Sequence, residues 1–318
     1  MLQPYRSSLV NLKHIDFKNT FYNLSPEGAM EPSADLEQSV ARIGILHPPI
    51  LKEQDTAMYT IVTGYKRLIA ADRAHGLLST VCLILPKETN DSVALSLNLE
   101  DTLLRGNVTP VEKAIFLSKI LRAMDEQEVI DRFLPVLGLE ANRHLIRKNV
   151  ELLNLEDHIL LAVHLGLVHE GAARELLRLS FTDRMSLFEI IDLLHLSVGN
   201  QKKIIAACRE LASRSSSSIM AVLGAPQIKE IINHPEANPP QKAGNLMHYL
   251  AAQCQPRLHE AEGEFRKFAG ALNLPKGVKL EHDLSFERDT LTLAVPFKNR
   301  EALQKIWPEL ALLLQKNK

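Results

Sequence analysis

The stretch Tyr59-Thr60-Ile61-Val62-Thr63-Gly64-Tyr65-Lys66-Arg67-Leu68-Ile69-Ala70-Ala71 decides the fold of the first third of the chain. Its β-branched first half predicts a strand, and Tyr65 to Gly76 predicts a helix ended by glycine. Gly64 stands at the junction. A glycine there lets the backbone turn tightly, the helix start offers unpaired N–H groups, and Lys66 and Arg67 follow at once, so the place suits a phosphate or other anion. The alternative is a tight turn with two solvated cations. Upstream, Pro48-Pro49-Ile50-Leu51 reads as a strand, and downstream Thr80-Val81-Cys82-Leu83-Ile84-Leu85 reads as another. Between them and the start, Asp35 to Ile45 is a helix with Leu36, Val40 and Ile43 on one face. This part is α/β.

Composition bounds what the chain can do. It has 318 residues, 46% hydrophobic, with 37 Lys+Arg against 38 Asp+Glu and a net charge of -1. That length gives two or three domains, and the charge balance excludes a uniformly basic coat for nucleic acid. A nucleic-acid surface must therefore be a local patch. Cys82, Cys208 and Cys254 lie in no paired spacing, which argues against a disulfide framework or zinc module and predicts buried thiols in a reducing cytosol. No apolar run approaches the roughly 18 residues of a membrane span, and Met1-Leu2-Gln3-Pro4-Tyr5 opens neither a signal nor a transit peptide. The expectation is a soluble cytoplasmic protein without a membrane partner. His164 and His169 are five apart, not in metalloprotease order, and no Gly-x-Ser-x-Gly elbow occurs.

From Thr109 the strand signals stop. Thr109-Pro110-Val111-Glu112 is a capping box with proline at the first helical position. Further helices are predicted near 127–137, 141–153, 156–165, 170–179, 184–194 and 198–212. Ser213 to Ser218 and then Asn233 to Pro240 break the pattern with linker chemistry. A third character begins near Pro256. Arg257 to Ala271 is an amphipathic helix, Leu280, Leu284 and Phe286 alternate with polar residues, and Arg288-Asp289 turns the chain. Leu291, Leu293, Val295 and Phe297 alternate again before Asn299 caps a last helix. The predicted class is α+β. Residues 1–108 form an α/β domain, 109–212 an all-helical domain, 213–255 a linker with helices, and 256–318 a small α-β-β-α module.

The order Gly44-Ile45-Leu46-His47-Pro48-Pro49-Ile50, then the strand and Gly64-Tyr65-Lys66-Arg67, resembles the amino-terminal domain of the ParB partition family. That domain is similar to the sulfiredoxin fold and binds CTP. The resemblance implies that Gly64, Tyr65, Lys66 and Arg67 hold the triphosphate, with Tyr65 and Lys66 replacing the family's Glu and Arg. Asp101-Thr102-Leu103-Leu104-Arg105 stands where the family has Glu-Asn-x-x-Arg before Pro-x-Glu. Arg105 is thereby a nucleotide residue and Asp101 a magnesium ligand, while Asn98 and Glu100 could register instead. Thr102 and Leu104 depart from the pattern, so the implied enzyme is at most a slow CTPase, with no catalytic residue assigned.

The resemblance continues through a helix-turn-helix, Phe133-Leu134-Pro135-Val136-Leu137-Gly138 followed by Ala141 to Leu155, then Leu165-Gly166-Leu167 through Arg174. It implies binding of double-stranded DNA by Asn142, Arg143, Arg147 and Lys148, with Leu145, Ile146, Val150 and Leu153 facing the core; the alternative is a solvated face. The last sixty residues resemble, in pattern, the dimerisation domain of chromosomal ParB proteins, which implies a homodimer whose apolar strand faces, Trp307, Leu310, Leu312, Leu313 and Leu314 are covered by a second copy. A ParA-like ATPase is a further partner, and the location is the nucleoid. Three functions stand together: a CTP-dependent clamp in chromosome or plasmid partition, a ParB-like transcriptional or nucleoid regulator with a degenerate pocket, and an enzyme on the sulfiredoxin-like fold. Sulfiredoxins place a reactive cysteine after the glycine, where this chain has Tyr65.

Overall fold

A computed structural model of the protein describes residues 5–272, 274, 278–283 and 290–315. The class is α+β. Strands β1 (Arg6–Asn11), β2 (Ile15–Asp16), β3 (Ile50–Glu53), β4 (Tyr59–Ile61) and β5 (Ser79–Leu85) form one mixed sheet in the order β1-β5-β3-β4-β2. β1 runs antiparallel to β5 with Leu9 opposite Val81, while β3 runs parallel to β5 and antiparallel to β4. Two of the five strands were not expected. Arg6-Ser7-Ser8 is too polar to announce a strand, and β2 is a two-residue pairing with β4.

One face of the sheet is covered by helices α1 (Ala34–Ile43) and α2 (Tyr65–Arg73). Val40, Leu68 and Ala71 from these helices bury Leu51, Ile61, Cys82 and Ile84 from the strands. The Ser33 hydroxyl accepts the Leu36 N–H at 3.3 Å and so starts α1. The second helix ends at Arg73, short of Gly76.

Helix α3 (Asp91–Arg105) leads from β5 back across the open end of the sheet, and α4 (Pro110–Ile120) follows. The expected capping box is present: Glu112 N–H donates to Thr109 Oγ1 at 3.2 Å and Thr109 N–H donates to Glu112 Oε2 at 2.8 Å. This helix serves two cores. Phe116, Leu117 and Ile120 pack with Leu85, Leu95 and Leu99, whereas Val111 and Ala114 pack with the helices that follow. The change of character at 108/109 is thus a change of secondary structure, and packing runs across it.

Those helices are α5 (Glu126–Phe133), α6 (Arg143–Val150), α7 (Asp157–His164), α8 (Glu170–Leu177), α9 (Phe181–Leu193) and α10 (Val198–Arg214). Residues 213–255, expected as a linker with helices, are helical and pack into the core. They hold α11 (Ile219–Leu223), α12 (Pro226–Asn233) and α13 (Pro239–Cys254), and Ile219, Ile228, Leu246 and Leu250 are buried in the same core as Ile204 and Cys208. Ser218 and Asn238, which looked like linker residues, are helix caps. All three cysteines are free and buried.

The α-β-β-α order is present at the end as α14 (Pro256–Ala271), β6 (Lys279–His282), β7 (Leu291–Ala294) and α15 (Arg300–Gln315), with Leu280 opposite Leu293. Leu284, Phe286 and the turn at Arg288-Asp289 lie outside the described residues, as do the side chains of Leu310, Leu312, Leu313 and Leu314. Among the described residues no helix is long and apolar enough to cross a membrane.

Phe116 is fully buried and meets the Phe133 ring edge-on at 5.1 Å, so it ties α4 to α5. Phe116→Ala should cost about 3–5 kcal/mol of stability, read as a lowered urea midpoint.

Candidate functional site

The carboxyl end of β4 and the first turn of α2 meet at Gly64, which has φ 83 and ψ 22 and carries no side-chain cap. A methyl group added there would come within 2.8 Å of Pro49 Cβ and 3.1 Å of the Arg67 guanidinium. Only glycine fits, because the backbone is left-handed and the space is already filled. The turn opens a cavity of about 210 Å³ whose charged lining residues are Lys66, Arg67, Arg105 and Asp101. The five residues read as a nucleotide site, Gly64, Tyr65, Lys66, Arg67 and Arg105, all line it.

Each of them is held differently. Arg67 donates to the His47 carbonyl and stands 3.9 Å from Asp101 Oδ2. Burial lowers its pKa, the Asp101 charge pushes it back up, and Arg105 lowers it again. Arg105 donates to the Asp101 carbonyl at 3.1 Å and to Thr102 Oγ1 at 3.0 Å, with its Nε 3.4 Å from Asp101 Oδ2. The Tyr65 hydroxyl is turned away and donates to the Phe17 carbonyl at 2.6 Å. The Lys66 charge reaches His164 on α7, whose pKa is lowered first by burial and also by that lysine, against the Glu112 carboxylate.

Asp101 is therefore a lone carboxylate between two guanidiniums. Among the described residues no group of three or more His, Cys, Asp and Glu side chains is placed to hold a metal, and Glu100 is exposed. Thr102 is buried with its hydroxyl donating to the Asn98 carbonyl at 2.9 Å, and Leu104 is 87% exposed, so neither supplies a polar group to the cavity.

The cavity is also lined by Asn23 and Ser25, which the sequence did not single out, and by Asn98, which it offered as an alternative register. Asn23 and Ser25 come from the loop before α1. The Asn98 side chain donates to the carbonyls of Tyr22 at 2.8 Å and Val62 at 2.5 Å. Lys119 Nζ from α4 donates to the carbonyls of Asn23 at 2.6 Å and Thr20 at 3.2 Å. Two side chains from two helices thus fix this loop, and Asn23 Nδ2 is buried with no hydrogen-bond partner among the described residues. An unpaired buried donor is costly unless something supplies an acceptor. The Asn-x-Ser spacing that closes an Asx turn at Asn23 was the available signal, and it is too common to mark a site.

Arg143, Arg147 and Lys148 occupy a different surface. Between α5 and α6 the chain turns through Gly138, with φ 70, over nine residues, longer than the usual helix-turn-helix link. Asn142 caps α6 by accepting the His144 N–H at 2.8 Å, so its carbonyl oxygen is engaged. Arg143, Arg147 and Lys148 are exposed, Ile146 is buried, and Leu145, Val150 and Leu153 are half-buried. Arg143 makes a two-pronged ion pair with Glu126. Residues 125–151 hold six acidic side chains against four of Arg and Lys, so the basic stripe is narrow.

The buried thiols are inert: burial pushes Cys82 up to about 11 and Cys208 up to about 12. Neither is a thiolate at neutral pH.

No protein-family profile matches the chain. The chromosome-partitioning protein Spo0J of Thermus thermophilus is 31% identical over 166 residues, 52% of this chain and 58% of that protein. The probable chromosome-partitioning protein ParB of Neisseria meningitidis is 27% identical over 157 residues, 49% of this chain and 52% of the relative. Two crystal structures of C-terminally truncated ParB from Caulobacter crescentus are also similar. One is complexed with CTP-gamma-S (22% identity, 58% of this chain and 98% of that one, TM-score 0.25). The other is complexed with the centromeric parS site (22%, 61% and 95%, TM-score 0.27). Over about half its length the chain is thus a homologue of the ParB/Spo0J chromosome-partitioning proteins, and it spans 52% and 58% of the two relatives' own lengths.

Burial holds Lys119 down to about 8. The folded protein therefore binds this proton less tightly than the unfolded chain, whose lysine titrates near 10.5, and stability should rise as pH climbs from about 8 towards 10.5. Below pH 8 both states are protonated and the contribution is flat. Urea midpoints across that range should show the rise in the parent protein and lose much of it in Lys119→Met.

Proposed function

We propose that the chain is a ParB-like DNA-binding protein that binds CTP at the Gly64 cavity and acts as a nucleotide-dependent clamp in chromosome or plasmid partition. The observation that carries the reading is the meeting of Lys66, Arg67 and Arg105, from two helices, around a glycine-started helix N-terminus. Backbone N–H groups and guanidinium forks are the groups that recognise phosphate oxygens. Lys66 adds a point charge without the fork. Three cations face one carboxylate, which leaves room for the charge of a triphosphate.

Turnover of CTP is slow or absent in this reading. Asp101 is engaged by both arginines, and Thr102 and Leu104 bring no polar group where the related motif has them. The same facts favour the second reading, a ParB-like transcriptional or nucleoid regulator whose pocket has lost its ligand. Isothermal calorimetry separates the two. CTP should bind the parent protein and fail to bind Arg67→Ala, because a charge-assisted contact to phosphate is lost from a partly buried place. Absence of binding by the parent favours the regulator, and equal binding by the variant removes the Gly64 cavity as the nucleotide site.

The DNA contact in this reading is made by Arg143, Arg147 and Lys148, beside the capping Asn142, and a ParA-like ATPase is the partner that partition would require. Assembly is a homodimer through the last module. Leu291, Leu293 and Trp307 are about half exposed in the single chain, and so small a module buries little surface alone. A second copy would cover those faces with two-fold symmetry and bring two reading helices to one duplex. Light scattering of the full chain should give a dimer at micromolar concentration, and Leu293→Asp should shift it to monomer. A monomeric parent protein removes the clamp.

A further inference from the structure

We propose that Glu126 restrains the DNA surface: it holds Arg143 in an internal ion pair that competes with a duplex, and so lowers binding to DNA in general. The inference rests on the helix-turn-helix reading above and goes beyond it by assigning a role to the helix that precedes the reading helix.

Glu126 is the first residue of α5, and Arg143 is the first residue of α6. Arg143 Nε donates to Glu126 Oε1 at 2.9 Å, and its Nη2 lies 2.6 Å from Oε2. The pairing uses one edge of the guanidinium, Nε with Nη2, in the two-pronged geometry with which arginine takes a phosphate or a guanine edge. One arginine cannot present that edge to both. The Glu126 side chain is 31% exposed and that of Arg143 is 63% exposed, so the carboxylate is the fixed partner and the guanidinium the accessible one. Arg147 lies one turn further along α6 and makes no ion pair among the described residues. The groove between the two helices is lined by Glu126, Arg143, Arg147 and Glu151, two charges of each sign.

A weak, patch-sized positive surface that carries its own competing carboxylate binds phosphate backbones poorly and depends on further contacts to hold a site. Opening the pair costs the same on every sequence, whereas only a matched site returns base contacts to Arg143. Because that cost is common to all sequences, Glu126 lowers binding to any duplex and leaves discrimination to the base contacts themselves.

The test uses the full chain, a fluorescent duplex of mixed sequence, and anisotropy titrations over a range of potassium chloride. Glu126→Gln keeps the shape of the side chain and removes its charge. It should bind about three- to tenfold more tightly than the parent protein. Its affinity should fall more steeply with salt, by about one unit in the log–log slope, because one more phosphate contact releases a counterion. Arg143→Ala should abolish the gain: in that background Glu126→Gln should bind about as the parent glutamate does. Weaker or unchanged binding by Glu126→Gln, with binding still lost in Arg147→Ala, overturns the role of Glu126 while the DNA reading stands. No binding of any duplex by any of these forms overturns both.

Discussion

The left-handed backbone at Gly64 is the constraint from which the candidate site follows. β4 leaves the sheet there and α2 begins within one residue, and the packing of Pro49 against the turn leaves no space for a Cβ. Because the turn is that tight, Lys66 and Arg67 emerge in the first helical turn beside unpaired backbone N–H groups. Because β5 then returns between β1 and β3, the following α3 delivers Asn98, Asp101 and Arg105 to the same cavity. A looser turn would separate the two sets of charges.

Electrostatics explain why such a place invites a ligand. Arg67 is partly desolvated, and its nearest carboxylate is also claimed by Arg105. A buried charge with half a partner costs free energy that an anion would return. The Asn23 amide, buried with no hydrogen-bond partner among the described residues, has the same unfinished character. The surface of α6 differs: its cations are exposed, and Arg143 has an internal partner, so it gains little by binding any one phosphate.

Much of this was legible in the sequence, for reasons that differ by residue. Thr109 to Glu112 announces a helix start through local chemistry alone, and the capping bonds are present. The Gly64 turn was legible because glycine, β-branched strand and cationic helix start are adjacent in the chain. β1 was not, since Arg6-Ser7-Ser8 becomes a strand only by pairing with β5 more than seventy residues later. The same holds for Asn23, which reaches the cavity because Lys119 and Asn98 pin its loop from distant helices. Residues 213–255 were legible in part: helices were expected there, their place in the core was not. Serine, asparagine and proline are helix-cap chemistry as much as linker chemistry, and the buried Ile219, Leu246 and Leu250 decide between them only once the helices are packed.

The central claim is that the cavity at Gly64 receives the triphosphate of CTP on groups from α2 and α3 together. Hydrogen–deuterium exchange of the full chain with and without CTP tests it most directly, because the backbone amides that open α2 are themselves the proposed phosphate donors. The account predicts slowed exchange at residues 64–67, with accompanying protection in 98–105. Unchanged exchange at both stretches under saturating CTP, or protection confined to another part of the chain, would contradict it.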